Sequence, residues 1–132
     1  MRIVIDSNIF VSSFFWGGNP RRIIDRVIDG LDELYISDEI LKEILEVMSR
    51  KKFDLELQKV MDYISIIDQY ANKVVPKENI EIISRDKDDN KIIYCGLIGK
   101  VDCIITGDND LLILKEYNGI KIMTPKEYLE SQ

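Results

Sequence analysis

The sequence predicts an α/β fold with a largely parallel central sheet, and three observations carry that prediction. Short β-branched runs alternate along the chain with stretches of helical period. The first run, Arg2-Ile3-Val4-Ile5, stops on an acid, Asp6, as a buried strand does when it delivers its last residue to the carboxyl edge of a sheet. A later run, Cys103-Ile104-Ile105-Thr106, repeats the design, with Asp108 two residues beyond it. Strands separated by helices pair in parallel through right-handed crossovers. At 132 residues and 15.4 kDa the chain has the size of one domain, expected to span 1–132, and can bury a core without staples.

The elements follow in order. Ile9 to Phe15 is an apolar stretch too continuous for a surface loop and reads as a short buried helix broken by Trp16-Gly17-Gly18. Asn19 is expected to cap the next helix, with Pro20 in its first turn and Gly30 as its stop. Ile23, Ile24, Val27 and Ile28 form its apolar stripe, and Arg21, Arg22 and Arg26 lie off it on a solvated face. Leu34 to Ser37 is the second strand. Ser37 and Asp38 open a helix expected to reach about Lys51, with Ile40, Leu41, Ile44, Leu45 and Met48 on its buried side. Asp54 to Asn72 is a further helix, carrying Leu57, Val60, Met61, Ile64, Ile67 and Ala71 on one face.

Ile80 to Ser84 is the expected third strand, although Val74-Val75 can also pair in a sheet. Arg85-Asp86-Lys87-Asp88-Asp89-Asn90 then leads into a helical run from Ile92 to Ile98 with a Gly99 stop. Beyond the fourth strand, Leu111 to Tyr117 is read as a helix closed by Asn118-Gly119. Ile120 to Met123 is the last strand, and Thr124-Pro125 opens a terminal helix to about Leu129. About five strands result. In the order 3-2-1-4-5 the first and fourth are neighbours at the topological switch point, where Asp6 and Asp108 face each other.

Composition narrows the chemistry. Apolar residues make up 45% and charged residues 32%, the balance of a globular chain. No apolar run approaches the roughly 20 residues a membrane helix needs, and no signal-like leader opens the sequence, so the protein is expected in the cytoplasm. Histidine is absent and the two cysteines, Cys95 and Cys103, fit no zinc spacing. Histidine general bases, Ser-His and Cys-His couples and the usual zinc sites are therefore excluded. Cys95 reads as a small core residue. A net charge of −6 argues against tight, purely electrostatic binding of nucleic acid.

Acids are left to carry any reaction. Glu43 sits near the border of its helix's apolar stripe, whereas Glu39 and Glu46 point away from it, so Glu43 alone leans toward the sheet edge. Three acids in four positions, Asp86, Asp88 and Asp89, exceed what a helix cap requires. Asp89 reaches the edge that holds Asp6 and Asp108 if its loop curls over it. Carboxylates converging without basic partners repel one another, and all-oxygen ligands select Mg²⁺ or Mn²⁺. Such ions polarise phosphoryl oxygens, and metal-assisted phosphodiester hydrolysis is their natural use. Asn8 and Thr106 stand beside the strand-end acids as donors that orient carboxylate oxygens; for Asn8 a plain helix cap is the competing role.

Taken together, Asp6-Ser7-Asn8, Ser37 followed by Glu43, Asp86-Lys87-Asp88-Asp89-Asn90, Thr106-Gly107-Asp108-Asn109-Asp110-Leu111-Leu112 and the closing Ile122-Met123-Thr124-Pro125-Lys126-Glu127-Tyr128-Leu129 resemble the PIN domain family. The closing stretch is similar to the small prokaryotic VapC-like ribonucleases, the toxin components of toxin–antitoxin pairs. The resemblance implies a three-layer, Rossmann-like α/β/α sandwich and an Mg²⁺- or Mn²⁺-dependent endoribonuclease. It places the catalytic, metal-holding acids at Asp6, Glu43, Asp89 and Asp108, with Asp110 as a further metal contact. It also implies a homodimer and a small antitoxin partner. No zinc ribbon of the kind seen in ribosome-maturation relatives is present. The net charge demands a local basic rim for RNA, for which Arg21, Arg22, Lys51, Lys52, Lys87 and Lys91 are the candidates.

Other readings compete. A housekeeping RNA-processing nuclease of the same family shares every residue above. A phospho-acceptor receiver domain needs an acidic pair at strand one and a lysine ending the last strand; here those places hold Asp6-Ser7-Asn8 and Met123-Thr124-Pro125. A non-catalytic module would use the acids only to bind a partner or a structural ion. No stretch of the sequence interleaves aromatic and basic residues for base stacking.

Overall fold

In the computed structural model, residues 1–75 and 87–132 are described, with residues 87–90 given as backbone alone. β1 (Arg2–Ile5) is the innermost element: Ile3, Val4 and Ile5 are all buried, as both faces of a central parallel strand must be. It is flanked in parallel by β2 (Glu33–Ser37) and β4 (Cys103–Ile105). Outside them lie β3 (Ala71–Val74), parallel to β2, and β6 (Ile120–Met123), parallel to β4. β5 (Glu116–Tyr117) pairs antiparallel with β6 and completes the order β3-β2-β1-β4-β6-β5. The α/β class, the largely parallel sheet and the predicted neighbours 2-1-4 are observed, and the strand beside β2 is Ala71–Val74.

The helices are α1 (Ser7–Phe15), α2 (Gly18–Ile28), α3 (Asp38–Met48), α4 (Leu57–Tyr70), α5 (Lys87–Gly99), α6 (Asn109–Leu112) and α7 (Pro125–Glu130), with a 3-10 turn at Lys51–Phe53. Two caps read from the sequence are present. The Ser37 hydroxyl accepts from the Ile40 amide at 3.3 Å, and Thr124 with Glu127 forms a reciprocal capping box at the start of α7. Along α5, Gly96 and Gly99 face the sheet one turn apart. A Cβ at Gly96 would meet the Ile104 side chain at 3.2 Å, and one at Gly99 would meet the Tyr35 ring at 3.2 Å. That close approach seats α5, and with it Lys91, over the β2–β1–β4 region.

Several local expectations need correction. Leu111 to Tyr117 is not one helix: α6 ends at Leu112, and Glu116–Tyr117 is strand. Asn118 and Gly119, read as a helix stop, have φ of 49° and 84°. Two successive left-handed residues are what a two-residue type I′ hairpin requires, so the pair turns β5 into β6 and the sheet gains a sixth strand. Gly17 (φ 70°), rather than Asn19, is the N-cap of α2, and Asn19 instead accepts from Arg22 inside the first turn. α3 ends at Met48, three residues short of Lys51, and Arg50 precedes a separate 3-10 turn.

α4 starts at Leu57 rather than Asp54, and Leu57 and Met61 are exposed rather than inside. Ala71 and Asn72 leave the predicted helix to begin β3, which takes up Val74, while the expected strand at Ile80 to Ser84 lies outside the described residues. α5 begins at Lys87, a turn before Ile92. Cys95 and Cys103 are buried free thiols, both pushed up to about 12 by burial.

Arg26 departs most from its expected solvated role. Its Nε donates to Asp32 Oδ2 at 2.8 Å, and the α-amino group of Met1 reaches Asp32 Oδ1 at 3.1 Å. The Asp32 side chain is fully buried. This ion cluster ties the loop before β2 to α2 and β1 at the amino edge of the sheet, opposite the strand-end acids.

Candidate active site at the carboxyl edge of the sheet

The β1–β4 register sets this site. Ile5 pairs with Ile105, and the Asp6 amide continues the ladder by donating to the Ile105 carbonyl at 2.9 Å. Asp6 and Thr106 therefore emerge side by side. The Thr106 hydroxyl donates to Asp6 Oδ2 at 2.7 Å and accepts from the Asp108 amide at 3.0 Å. One buried threonine thus fixes the carboxylate of the first strand and the backbone bearing the acid of the fourth. Asp6 occupies the N-cap position of α1 without a side-chain cap bond, so the cap role weighed for Asn8 falls to Asp6's backbone and Asn8 is exposed.

Asp6 is only 6% exposed. Burial pushes its carboxyl above the ordinary value; the Thr106 hydroxyl and the Ser7 amide oppose that shift, the negative charge of Asp108 adds to it and Lys91 opposes it. Burial and the Asp108 charge both work against ionising Asp6, and a bound cation would offset them. Next to it, the buried Ser7 hydroxyl has no hydrogen-bond partner among the described residues. Asp108 caps α6, accepting from the Asp110 amide at 2.9 Å through Oδ1, and Asp110 is exposed.

Glu43 sits on α3 with its side chain 26% exposed, and its Oε2 is paired with the ammonium of Lys91. Lys91 is itself only 17% exposed, and its charge is felt at Asp6. It therefore lies among the acids, where sequence reasoning had put it on a rim. No spacing rule reveals that, because α3 and α5 meet only in the tertiary fold. The backbone of α5 puts Asp88 and Asp89 in its first turn, while their side chains, that of Lys87 and the whole of Asp86 lie outside the described residues. Arg21 pairs with Asp25 at 3.2 Å, and Arg22, Lys51 and Lys52 are exposed.

The structure thus brings Asp6, Thr106 and Asp108 together, with Glu43 and Lys91 as a neighbouring pair. Among the described residues no group of three acids or thiols is close enough to hold a metal ion. The donors nonetheless suit a hard cation: they are all oxygen, and a buried carboxylate lies beside a buried hydroxyl that has no partner among the described residues.

Comparisons with known proteins bear on the same region. The family model of the PIN domain matches residues 2–110, a span that includes Asp6, Glu43, Asp89 and Asp108. Among solved structures, the chain is similar to the crystal structure of VapBC2 from Rickettsia felis bound to a DNA fragment from their promoter. The TM-score is 0.64 at 12% identity, over 92% of this chain and 97% of the other. At that identity the likeness is one of fold. No curated protein sequence matches.

Proposed function

The chain belongs to the PIN domain family, whose members are generally nucleases, and from that premise we propose a divalent-metal-dependent endoribonuclease acting as the toxin of a toxin–antitoxin pair. The observation that carries this reading is the pairing of Asp6 with Thr106 and Asp108 across β1 and β4, at the point where strand order reverses and ligands of open α/β sheets bind.

Asp6, Glu43, Asp89 and Asp108 would hold Mg²⁺ or Mn²⁺, with Asp110 as a further contact. When bound, the cation supplies Lewis acidity toward a phosphoryl oxygen. Thr106 keeps Asp6 in one orientation, so the carboxylate meets cation and substrate without first reorganising. Lys91 holds Glu43 at the site through its ammonium. Arg22, Lys51, Lys52 and Lys87 are the candidates for a rim offered to the RNA backbone against a net charge of −6, with Arg21 released from its ion pair, while Lys91 stands among the acids. The fold neighbour VapBC2 supports a small antitoxin protein as partner, and we take the chain to act as a homodimer in the cytoplasm. Among the described residues no helix is long and apolar enough to cross a membrane.

Metal binding gives the direct test. Millimolar Mn²⁺ should raise the melting temperature of the wild type by several degrees, because the ion binds only the folded acids. In Asp108→Asn that rise should shrink to nothing; an equal rise in both proteins rules out the proposed acids as the cation site. Thr106→Val keeps the side-chain shape and removes the donor to Asp6. It should lower the RNA cleavage rate by about 10- to 100-fold with the circular dichroism spectrum unchanged.

A further inference from the structure

The chain holds a single tryptophan, Trp16, and the fold leaves it 72% exposed. It stands at the C-cap of α1, where its ring lies 5.5 Å from that of Phe15. Phe15 in turn stacks on Phe53 at 4.6 Å with the planes 20° apart, and the Lys52 ammonium lies 5.0 Å from the Phe53 ring. Phe53 closes the 3-10 turn that follows Arg50, so three consecutive cations, Arg50, Lys51 and Lys52, border this aromatic ladder. All three are exposed, and among the described residues none has an ion-pair partner. In a chain of net charge −6 the turn gathers three cations, with Asp54 as the acid at its C-cap.

The patch is connected to the candidate active site through two helices. Asp6 caps one end of α1 and Trp16 the other, and the helix between them is about 14 Å long at the helical rise per residue. α3 carries Glu43 and leads directly into the cationic turn. An exposed ring joined through Phe15 and Phe53 to a cationic turn offers what single-stranded nucleic acids need, a face for a base to stack on and charges for the phosphates beyond it. A duplex offers no free base face for such a ring. A two-fold contact between copies of this chain centred on Trp16 would set Arg50-Lys51-Lys52 against the same cations of its mate, which is repulsive.

We propose that Trp16 is a base-stacking platform for single-stranded RNA, with Arg50, Lys51 and Lys52 taking the adjoining phosphates, and that it anchors the strand a few nucleotides from Asp6. The proposal rests on the nuclease reading for the identity of its ligand. Because Trp16 is the sole tryptophan, its emission reports on the platform directly. An unstructured RNA oligonucleotide carrying a fluorophore is titrated into Asp6→Asn protein in chelator, and both Trp16 emission and RNA anisotropy are followed. The expected result is saturable quenching with the midpoint of the anisotropy curve, about tenfold weaker binding by the same protein carrying Trp16→Ser, and substantial recovery with Trp16→Phe. Trp16→Ser should melt like its parent, since the ring is mostly in solvent.

RNA that binds without changing Trp16 emission, or binds equally well to the Trp16→Ser protein, overturns the platform and leaves the nuclease reading intact. Emission that changes with protein concentration alone overturns it in favour of self-association. Failure of every variant and of the wild type to bind RNA overturns both.

Discussion

Asp6→Asn should lower RNA cleavage on the order of 10³-fold while leaving the metal-free protein at least as stable as the wild type. Both halves follow from one fact. Asp6 is buried, its carboxyl is pushed up chiefly by that burial, and Asp108 adds a second negative charge nearby. Charging it therefore costs the folded state free energy, and a bound cation offsets that cost. The amide keeps an oxygen to accept from the Thr106 hydroxyl and removes the charge. A residue retained for structure would show the reverse pattern, with stability lost and any activity falling in proportion. Parallel cleavage assays and thermal melts in chelator separate the two cases.

The second large effect concerns stability and lies at the opposite edge of the sheet. Asp32→Ala should cost about 2 kcal/mol, less than the 3–5 kcal/mol typical of a broken buried pair, because Arg26 and the Met1 amine reach solvent and rehydrate. Burial acts to raise the Asp32 carboxyl, but its bonds from Arg26 and the amino terminus outweigh burial, and the net direction is below the ordinary 3.8. A depressed folded-state value means the contribution is complete above 3.8 and is lost as the pH falls through the folded-state value. The melting-temperature gap between wild type and Asp32→Ala should be constant near neutral pH and close in strong acid. A gap that stays open there would show that lost packing, rather than charge, accounts for the change.

Both acids show what a linear sequence discloses. Asp6 was legible because a β-branched strand ending in an acid specifies its own location: the strand must be buried, and its end must reach the carboxyl edge. The same logic found Asp108, and Thr106 followed from lying between a buried strand and that acid. Asp32 was not legible. It sits in a turn between α2 and β2, and its partners come from a helix face and from the chain terminus, so no local pattern marks it. Asn118-Gly119 carried a readable hairpin signal that was assigned to a helix end, because Leu111 and Leu112 just before it suit a helix. Gly17 displaced Asn19 as a cap because the backbone there is left-handed, which overrides side-chain preference.

The Glu43–Lys91 pair and the Trp16–Phe15–Phe53 ladder needed the fold itself. Each joins segments far apart in sequence, and the basic residues that border the ladder sit on a turn whose sequence continues the helical pattern of α3. A strip of alternating aromatic and basic residues is absent from the sequence, yet the fold assembles an aromatic and basic patch from α1 and the 3-10 turn.

The central claim is that the acids at the carboxyl ends of β1 and β4 form a cation-dependent ribonuclease site. It is tested most directly by cleavage of a defined single-stranded RNA in Mn²⁺ and in excess chelator, with wild type and Asp6→Asn side by side. The account predicts cleavage by the wild type in Mn²⁺, a rate on the order of 10³-fold lower for the variant, and none by either protein in chelator. Cleavage that persists in chelator, or a variant that cleaves at the wild-type rate, would contradict it.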